Sequence, residues 1–78
     1  MTTGILSYNS SNDRYGVLVM DLWHNDGLHC GECLDVWNYD TEQWIPTRIE
    51  MRWKNNEWYL VDTPYSGTAL EGLKVRIR

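Results

Sequence analysis

The segment of this chain with the most chemically capable side chains runs from Leu22 to Asn38 and reads LWHNDGLHCGECLDVWN. It contains both histidines, both cysteines, three acidic residues and two tryptophans. Imidazole and thiolate groups are the ligands that zinc prefers, and a Cys-x-x-Cys pair is the motif of thiol redox proteins. The segment therefore raises three hypotheses: a metal site, a redox motif, or a connection between strands.

The spacing of the possible ligands argues against structural zinc. His24, His29, Cys30 and Cys33 lie within ten residues of each other, whereas a structural site normally joins two ligand pairs from distant parts of the chain. His29 and Cys30 are also neighbours, so their side chains diverge. We predict no metal and no cofactor, and these four residues remain the candidates if a metal does bind.

The redox hypothesis needs a cysteine pair at the start of a helix, where the helix dipole lowers the thiol pKa. Here the Cys-Gly-Glu-Cys motif leads into a strand pattern. Residues three apart in a strand lie roughly 10 Å from each other, beyond disulfide reach unless Gly31 makes a turn. The sequence favours a turn at Asn25-Asp26-Gly27 and a kink at Gly31. No catalytic residue is predicted, and we expect no enzyme.

The composition indicates one small domain, residues 1–78, with an unusual number of large rings. Five tryptophans and five tyrosines in 78 residues are more than so small a core can hide, so some are expected at a binding surface. The net charge of −4 disfavours a general nucleic-acid binder, which usually carries a basic excess. The first residues resemble no signal peptide and no segment is long and apolar enough for a membrane span, so we expect a cytoplasmic protein with reduced thiols.

Alternation of apolar and polar residues with a period of two dominates the chain and predicts strands throughout. One helical turn is expected in the loop TPYSGTALEG, and the pairing of the first strand stays open between the fifth and the last. Such short strands predict an all-β fold, a small five- to six-stranded antiparallel barrel or rolled sheet, SH3-like. The predicted strands are GILSY (4–8), RYGVLVMDLW (14–23), ECLDVW (32–37), WIPTRIEMRW (44–53), WYLVD (58–62) and LKVRIR (73–78).

Hairpin pairing of these strands predicts an outer face of aromatic and charged residues. A turn at NYDTEQ places Trp37 opposite Trp44 and Cys33 opposite Arg48. A two-residue turn at Asn55-Asn56 places Arg52 opposite Tyr59 on the outer face and Trp58 opposite Trp53 on the inner face. The predicted binding residues are Trp37, Trp44, Arg48, Glu50, Arg52 and Tyr59.

This face has two interpretations. Tryptophan pairs and arginine–tyrosine pairs stabilise hairpins without any ligand, and the first strand or a second copy of the chain could also cover the face. As a binding surface, it suits a protein or peptide more than single-stranded nucleic acid, given the acidic balance.

A zinc- or thiol-dependent protein that uses His24, His29, Cys30 and Cys33 is the third alternative for the function. Lys74, Arg76 and Arg78 form a second patch, either a solvated face or a site for an anionic partner.

The segments GLHCGECLDVW, WIPTRIEM, EWYLVDTPYSG and LEGLKVRI, in this order, resemble a family of short bacterial proteins classed as a domain of unknown function and often met among genes of mobile elements. The resemblance covers residues 14–77. It implies a cytoplasmic, non-enzymatic accessory of a plasmid, phage or transposon, and brings no cofactor or catalytic residue. Independently of the resemblance, we expect a monomer or a homodimer. The residues that match the family pattern are His29, Cys30, Gly31, Glu32, Trp44, Arg48, Glu50, Trp58, Tyr59 and Leu60.

Overall fold

The computed structural model describes all residues from Met1 to Arg78. They form one seven-stranded sheet with the strand order β3-β2-β1-β7-β4-β5-β6, in which every neighbouring pair is antiparallel. No helix is long and apolar enough to cross a membrane. The elements are β1 (Thr2–Asn9), β2 (Arg14–Val19), β3 (Leu22–Asn25), β4 (Cys33–Asn38), β5 (Gln43–Arg52), β6 (Glu57–Leu60), a single 3-10 turn (Gly67–Leu70) and β7 (Lys74–Ile77).

The all-β, antiparallel prediction is confirmed. Of the two predicted forms, a barrel or a rolled sheet, the barrel is wrong, and so is the count of five to six strands. The sheet stays open, because β3 and β6 lie at its two ends and do not pair with each other. The SH3-like arrangement is therefore not confirmed. The first strand, whose pairing the sequence left open, lies between β2 and β7.

The additional strand arises because the predicted strand 14–23 folds back on itself. Met20 and Asp21 both have positive φ angles, 53° and 64°, and Val19 pairs with Leu22 across them. Two successive left-handed residues make the hairpin turn whose twist suits antiparallel strands. Neither residue is a glycine or asparagine, so the pattern of turn formers did not reveal this hairpin.

The hydrophobic core lies on one face of the sheet and is supplied by alternating residues. Fully buried members include Leu6, Val17, Val36, Ile49 and Val75. These residues come from β1, β2, β4, β5 and β7, and each strand places its next residue on the opposite face. Leu28 in the β3–β4 connection and Leu70 in the 3-10 turn complete the same cluster.

The sheet curves around this core, so that strands far apart in the sheet order meet. Trp58 in β6 and Tyr15 in β2 are both buried in the single cluster. The Trp58 indole Nε1 donates a hydrogen bond to the carbonyl of Asp13, 3.2 Å away, and the Tyr15 hydroxyl donates to the carbonyl of Gly67 at 3.1 Å. Curvature therefore leaves a concave inner face filled by the core and a convex outer face.

The β5–β6 hairpin differs from the prediction by two residues. Its loop contains four residues, 53–56, and only Asn56 of the asparagine pair has a positive φ. Met51 therefore pairs with Trp58, and Arg52 with Glu57. Trp53, predicted to face inward, lies in the loop and is 75% exposed. A shift of two keeps every other side chain on its predicted face, because the side-chain period of a strand is two.

Candidate functional site

The segment between β3 and β4 changes direction twice, with a bend at Asp26 and a turn at Cys30-Gly31, where the sequence predicted a turn at Asn25-Asp26-Gly27 and a kink at Gly31. The Asn25 side-chain oxygen accepts a hydrogen bond from the Gly27 N–H at 2.9 Å, and Gly31 has a φ of 88°. Leu28 between them is buried, and its N–H donates to the carbonyl of Tyr15 at 2.8 Å. The segment is thus tied to β2 by backbone and by an apolar side chain.

The His29-Cys30-Gly31-Glu32 turn is held mainly by backbone groups. The Glu32 N–H donates to the His29 carbonyl at 3.0 Å, and Gly31 N–H donates to Ile49 carbonyl at 2.8 Å. The Glu32 carboxylate accepts a hydrogen bond from the His29 N–H at 2.8 Å. The Gly31 bond joins the turn to β5, and the other two lie within the turn. None of the three uses the His29 imidazole or the Cys30 thiol.

The four candidate zinc ligands do not converge. His24 and His29 line one polar recess, Cys33 lines another, and Cys30 lines neither. No three histidine, cysteine, aspartate or glutamate side chains are grouped closely enough to hold a metal ion. Both cysteines are free and exposed, so the segment contains reactive residue types without a site built from them.

A different group of side chains does converge, on the outer face of β4, β5 and β7. Trp37 pairs with Trp44, and their rings meet edge to face with centroids 5.2 Å apart. The ammonium nitrogen of Lys74 lies 5.0 Å from the Trp37 ring centroid and 5.7 Å from that of Trp44. The guanidinium carbon of Arg76 lies 4.5 Å from the Trp44 ring centroid. We call these four residues the aromatic–cation cluster.

The cluster is anchored by an ion pair. The Arg76 Nε donates to the Asp35 carboxylate at 2.7 Å, with 32% of the Arg76 side chain and 17% of the Asp35 side chain exposed. Asp35 and Arg76 are direct partners in the β4–β7 ladder. One arginine therefore contacts both a carboxylate and an indole, which fixes its orientation.

The cluster belongs to a longer line of side chains that crosses the outer face. Leu18 pairs with Trp23 and with Ile5, and Ile5 pairs with Lys74. Directly opposed residues of antiparallel strands share a face. The resulting outer row, from one strand to the next, is Trp23, Leu18, Ile5, Lys74, Trp37 and Trp44.

The other predicted binding residues form two ion pairs further along β5 and β6. Arg48 binds Glu50 at 3.0 Å, and Arg52 binds Glu57 at 3.0 Å. The Arg52 guanidinium carbon also lies 4.1 Å from the Tyr59 ring centroid. The predicted pairing of Arg52 with Tyr59 is wrong, since Glu50 is the partner of Tyr59, but the two side chains meet diagonally.

Three members of this face were not predicted as site residues: Lys74, Arg76 and Asp35. The alternation of the last strand placed Lys74 and Arg76 outward, yet the sequence treated them as a separate patch. Their contact with the tryptophans depends on β7 lying beside β4, a pairing across about half the chain that no local pattern encodes. The first strand lies in the sheet and does not cover the face.

Two tyrosines at the β1–β2 hairpin have raised pKa values for local reasons. The Tyr8 hydroxyl donates a hydrogen bond to the Asp13 carboxylate, which raises the pKa of Tyr8 above its ordinary 10.0. Burial, and then the negative charge of Glu71, raise the pKa of Tyr15. Both hydroxyls therefore remain hydrogen-bond donors to higher pH than a free tyrosine would.

Together, fold and face define a small open antiparallel β-sheet protein with an aromatic and charged convex surface. The family model for a domain of unknown function, DUF5348, matches residues 4–77, and the chain belongs to that family. It is similar to a protein from Ruminococcus gnavus whose crystal structure was solved as a structural genomics target. The two are 39% identical with a TM-score of 0.78, and the alignment covers 97% of this chain and 100% of that one. No curated protein matches the chain.

Proposed function

We propose that this protein is a non-enzymatic interaction module that binds another protein or a peptide through its outer face. The observation that carries the proposal is the aromatic–cation cluster, Trp37, Trp44, Lys74 and Arg76. Tryptophan, tyrosine and arginine are the residues most enriched at the energetic centres of protein interfaces. Here two tryptophans and an arginine are already packed against each other, so binding would order few additional side chains.

Charge pairing on the face favours a protein or peptide over nucleic acid. Each of three carboxylates on the outer face is bound by an arginine: Asp35 by Arg76, Glu50 by Arg48, Glu57 by Arg52. Phosphate binding needs cations that are free to replace counterions. Lys74 has no carboxylate partner and lies over the two indoles. Of the five basic residues on the face, only Lys74 and Arg78 are outside an ion pair. Such a largely neutralised aromatic surface suits an apolar segment with an acidic residue beside it.

Single-stranded nucleic acid remains the second candidate because of the charge distribution. The face carries an excess of cations on a chain whose net charge is −4. Its basic residues are Arg48, Arg52, Lys74, Arg76 and Arg78, against the three carboxylates named above and that of Glu71, which Ser7 of the outer face binds. Bases stack on tryptophan rings with little dependence on sequence.

We also propose that the protein is located in the cytoplasm and is associated with mobile genetic elements. Two free, exposed cysteines are compatible with a reducing compartment. Neither point contributes to the choice of the binding face.

Selection from a library of random peptides displayed on phage would test the proposed function, with Trp44→Ala and Trp53→Ala as matched variants. Both tryptophans are partly or largely exposed, but Trp53 lies in the β5–β6 loop, outside the cluster. We expect selected peptides to lose at least about 30-fold in affinity on Trp44→Ala, as for an interface hot spot worth about 2 kcal/mol. Trp53→Ala should bind like the wild type.

Lys74→Gln serves as a second variant if Trp44→Ala lowers stability, since the Lys74 substitution leaves the tryptophan pair in place. Binding that is insensitive to both changes would contradict the proposal. The nucleic-acid alternative predicts instead that labelled oligothymidine binds, and that its affinity falls steeply between about 50 and 200 mM salt.

A further inference from the structure

The two edges of the sheet differ in how they are protected. The β6 edge is covered by the chain that follows it: Tyr59 forms a bridge with Ser66, and the Leu60 N–H donates to the Tyr65 carbonyl at 3.1 Å. A strand of another molecule therefore cannot pair along β6 without displacing residues 62–66.

The β3 edge has no such cover. Its sequence, Leu-Trp-His-Asn, contains no proline, lysine or carboxylate, the residues with which natural sheets commonly discourage edge pairing. Its four-residue length and the register shift between its Trp23 and Asn25 pairs also restrict edge pairing, so the open part of the edge is confined to the residues around Trp23. Large apolar side chains are exposed along it: Leu22 is 74% exposed, Trp23 41%, and Met20 in the adjoining turn 91%. An open, uncharged edge with exposed apolar residues is a surface for strand addition.

The geometry of the β2–β3 hairpin directs the backbone N–H and carbonyl of Trp23 toward this open edge. In a hairpin with a two-residue turn, the residues flanking the turn, here Val19 and Leu22, exchange both backbone hydrogen bonds. The next pair, Leu18 and Trp23, does not, because such pairs alternate. The Trp23 N–H and carbonyl therefore project away from β2, and none of the hydrogen bonds outside the ladders involves them.

The Trp23 side chain is held on the outer face beside this edge. Its ring lies over Gly16, with Cζ3 only 2.9 Å from the position that a Cβ at Gly16 would take. The ring can lie against the sheet because Gly16 has no side chain. Trp23 therefore offers a fixed ring and a free backbone donor and acceptor at one position.

We infer that the β3 edge pairs with the β3 edge of a second copy of this chain, antiparallel and centred on Trp23. A twofold axis through this position would let each Trp23 N–H donate to the other copy's Trp23 carbonyl, so the residue is complementary to itself. The two strands contain no acidic or basic side chain other than histidine, so no carboxylates oppose each other. The outer row of one copy then continues into that of the other, with the two tryptophans opposed.

The same geometry limits the assembly to two copies. Each chain has one open edge, because residues 62–66 cover the other, and an isologous contact between like edges closes on itself. A four-residue strand offers few backbone hydrogen bonds, so we expect a concentration-dependent equilibrium between monomer and dimer.

Sedimentation equilibrium over a range of concentrations would test the inference on the full chain, together with hydrogen exchange of the Trp23 amide. We expect the mass to rise from the 9.2 kDa monomer to twice that value, and the Trp23 amide to exchange more slowly as the dimer forms. Leu22→Lys should keep the fold and shift the equilibrium to monomer. Trp53→Lys, which places the same charge on an exposed tryptophan away from β3, should leave the dimer intact.

A monomer at all concentrations up to the solubility limit would overturn the inference, and so would assembly beyond two copies. A dimer whose Trp23 amide exchanges at the monomer rate would place the contact elsewhere and also overturn it. These outcomes do not depend on the proposed binding function, because none of them involves a peptide or the aromatic–cation cluster.

Discussion

Segment 24–33 and the outer face of the sheet differ in how closeness in sequence relates to closeness in space. Between His24 and Cys33 the chain concentrates imidazoles, thiols and carboxylates, yet the structure groups no three of them closely enough to hold a metal ion. On the outer face, Trp37, Trp44 and Lys74 belong to three strands and meet within 6 Å. The reactive residues that are close in sequence form a turn without a shared site, whereas side chains from different strands, brought together by the strand register, form a continuous surface.

The difference follows from the geometry of an extended chain. Successive residues of a strand point to opposite faces and advance by about 3.3 Å, so neighbours in sequence separate in space. Residues directly opposed on adjacent strands lie about 5 Å apart and stay together. In a small β protein, candidate sites are therefore found by pairing strands, and dense motifs in the connections deserve less weight than their composition suggests.

The largest expected effect tests whether the apolar residue of segment 24–33 matters more for stability than its reactive ones. Leu28 is 1% exposed, and its removal would leave a cavity between β2 and the turn. We expect Leu28→Ala to lower the free energy of unfolding by about 2–5 kcal/mol. Urea denaturation followed by tryptophan fluorescence measures this change.

His29→Ala is the matched control, because His29 is the next residue and is exposed. Its backbone N–H, not its imidazole, contacts Glu32. The control should change stability by less than about 0.5 kcal/mol. A large loss for His29→Ala with a small one for Leu28→Ala would reverse our view of this segment.

The faces of the strands were predictable from the sequence, and their partners only in part. Trp37 opposite Trp44 and Cys33 opposite Arg48 were predicted from one hairpin turn, and the ladder confirms both. The predicted β5–β6 pairing was wrong by two residues. The predicted faces of the side chains in these strands were still right, because a shift of two residues keeps each side chain on the same face. Local alternation is a strong constraint, and it determined most of the core.

Two features escaped prediction for physical reasons. In the Met20-Asp21 turn, Asp21 tolerates a positive φ but Met20 does not favour it, and one aspartate within an apolar run did not divide β2 from β3. The contact of Lys74 and Arg76 with the tryptophans requires β7 to pair with β4 and β1. That arrangement depends on the order of the strands in the whole sheet, which residue patterns within a single strand cannot encode.

The next effect in size tests whether the outer face is a built structure. Asp35→Asn removes the charge that Arg76 contacts at 2.7 Å in a half-buried position. We expect a loss of about 1–2 kcal/mol in the free energy of unfolding, because hydrogen bonds to charged groups exceed neutral ones. Most of that loss should persist at high salt, since partly buried pairs are screened less than exposed ones.

Glu50→Gln provides the comparison on the same face. Its partner Arg48 is 53% exposed, and exposed ion pairs contribute at most about 1 kcal/mol. Its smaller effect should fade as salt is raised to about 1 M, where the screening length falls to about 3 Å. Equal effects for the two substitutions would mean that the Asp35–Arg76 pair has no special part in the cluster.

The smallest expected effect concerns the two thiols. Cys30 and Cys33 are free and exposed, and the turn is held mainly by backbone groups and the Glu32 carboxylate. The Cys33 thiol adds only a weak hydrogen bond to the Gly31 carbonyl at 3.9 Å, and a serine hydroxyl is also a donor. Replacing both cysteines by serine should therefore change the free energy of unfolding by less than about 0.5 kcal/mol. Gly31→Ala, between them, should cost more, about 1–2 kcal/mol, because alanine is strained at a φ of 88°. If the double substitution unfolds the protein, or if the wild type loses stability when a chelator is added, the segment binds a metal in solution and the comparison between the two regions fails. If Gly31→Ala lowers the free energy of unfolding more than the double cysteine substitution does, the backbone conformation of Gly31 contributes more to the stability of this turn than the thiols of Cys30 and Cys33 do.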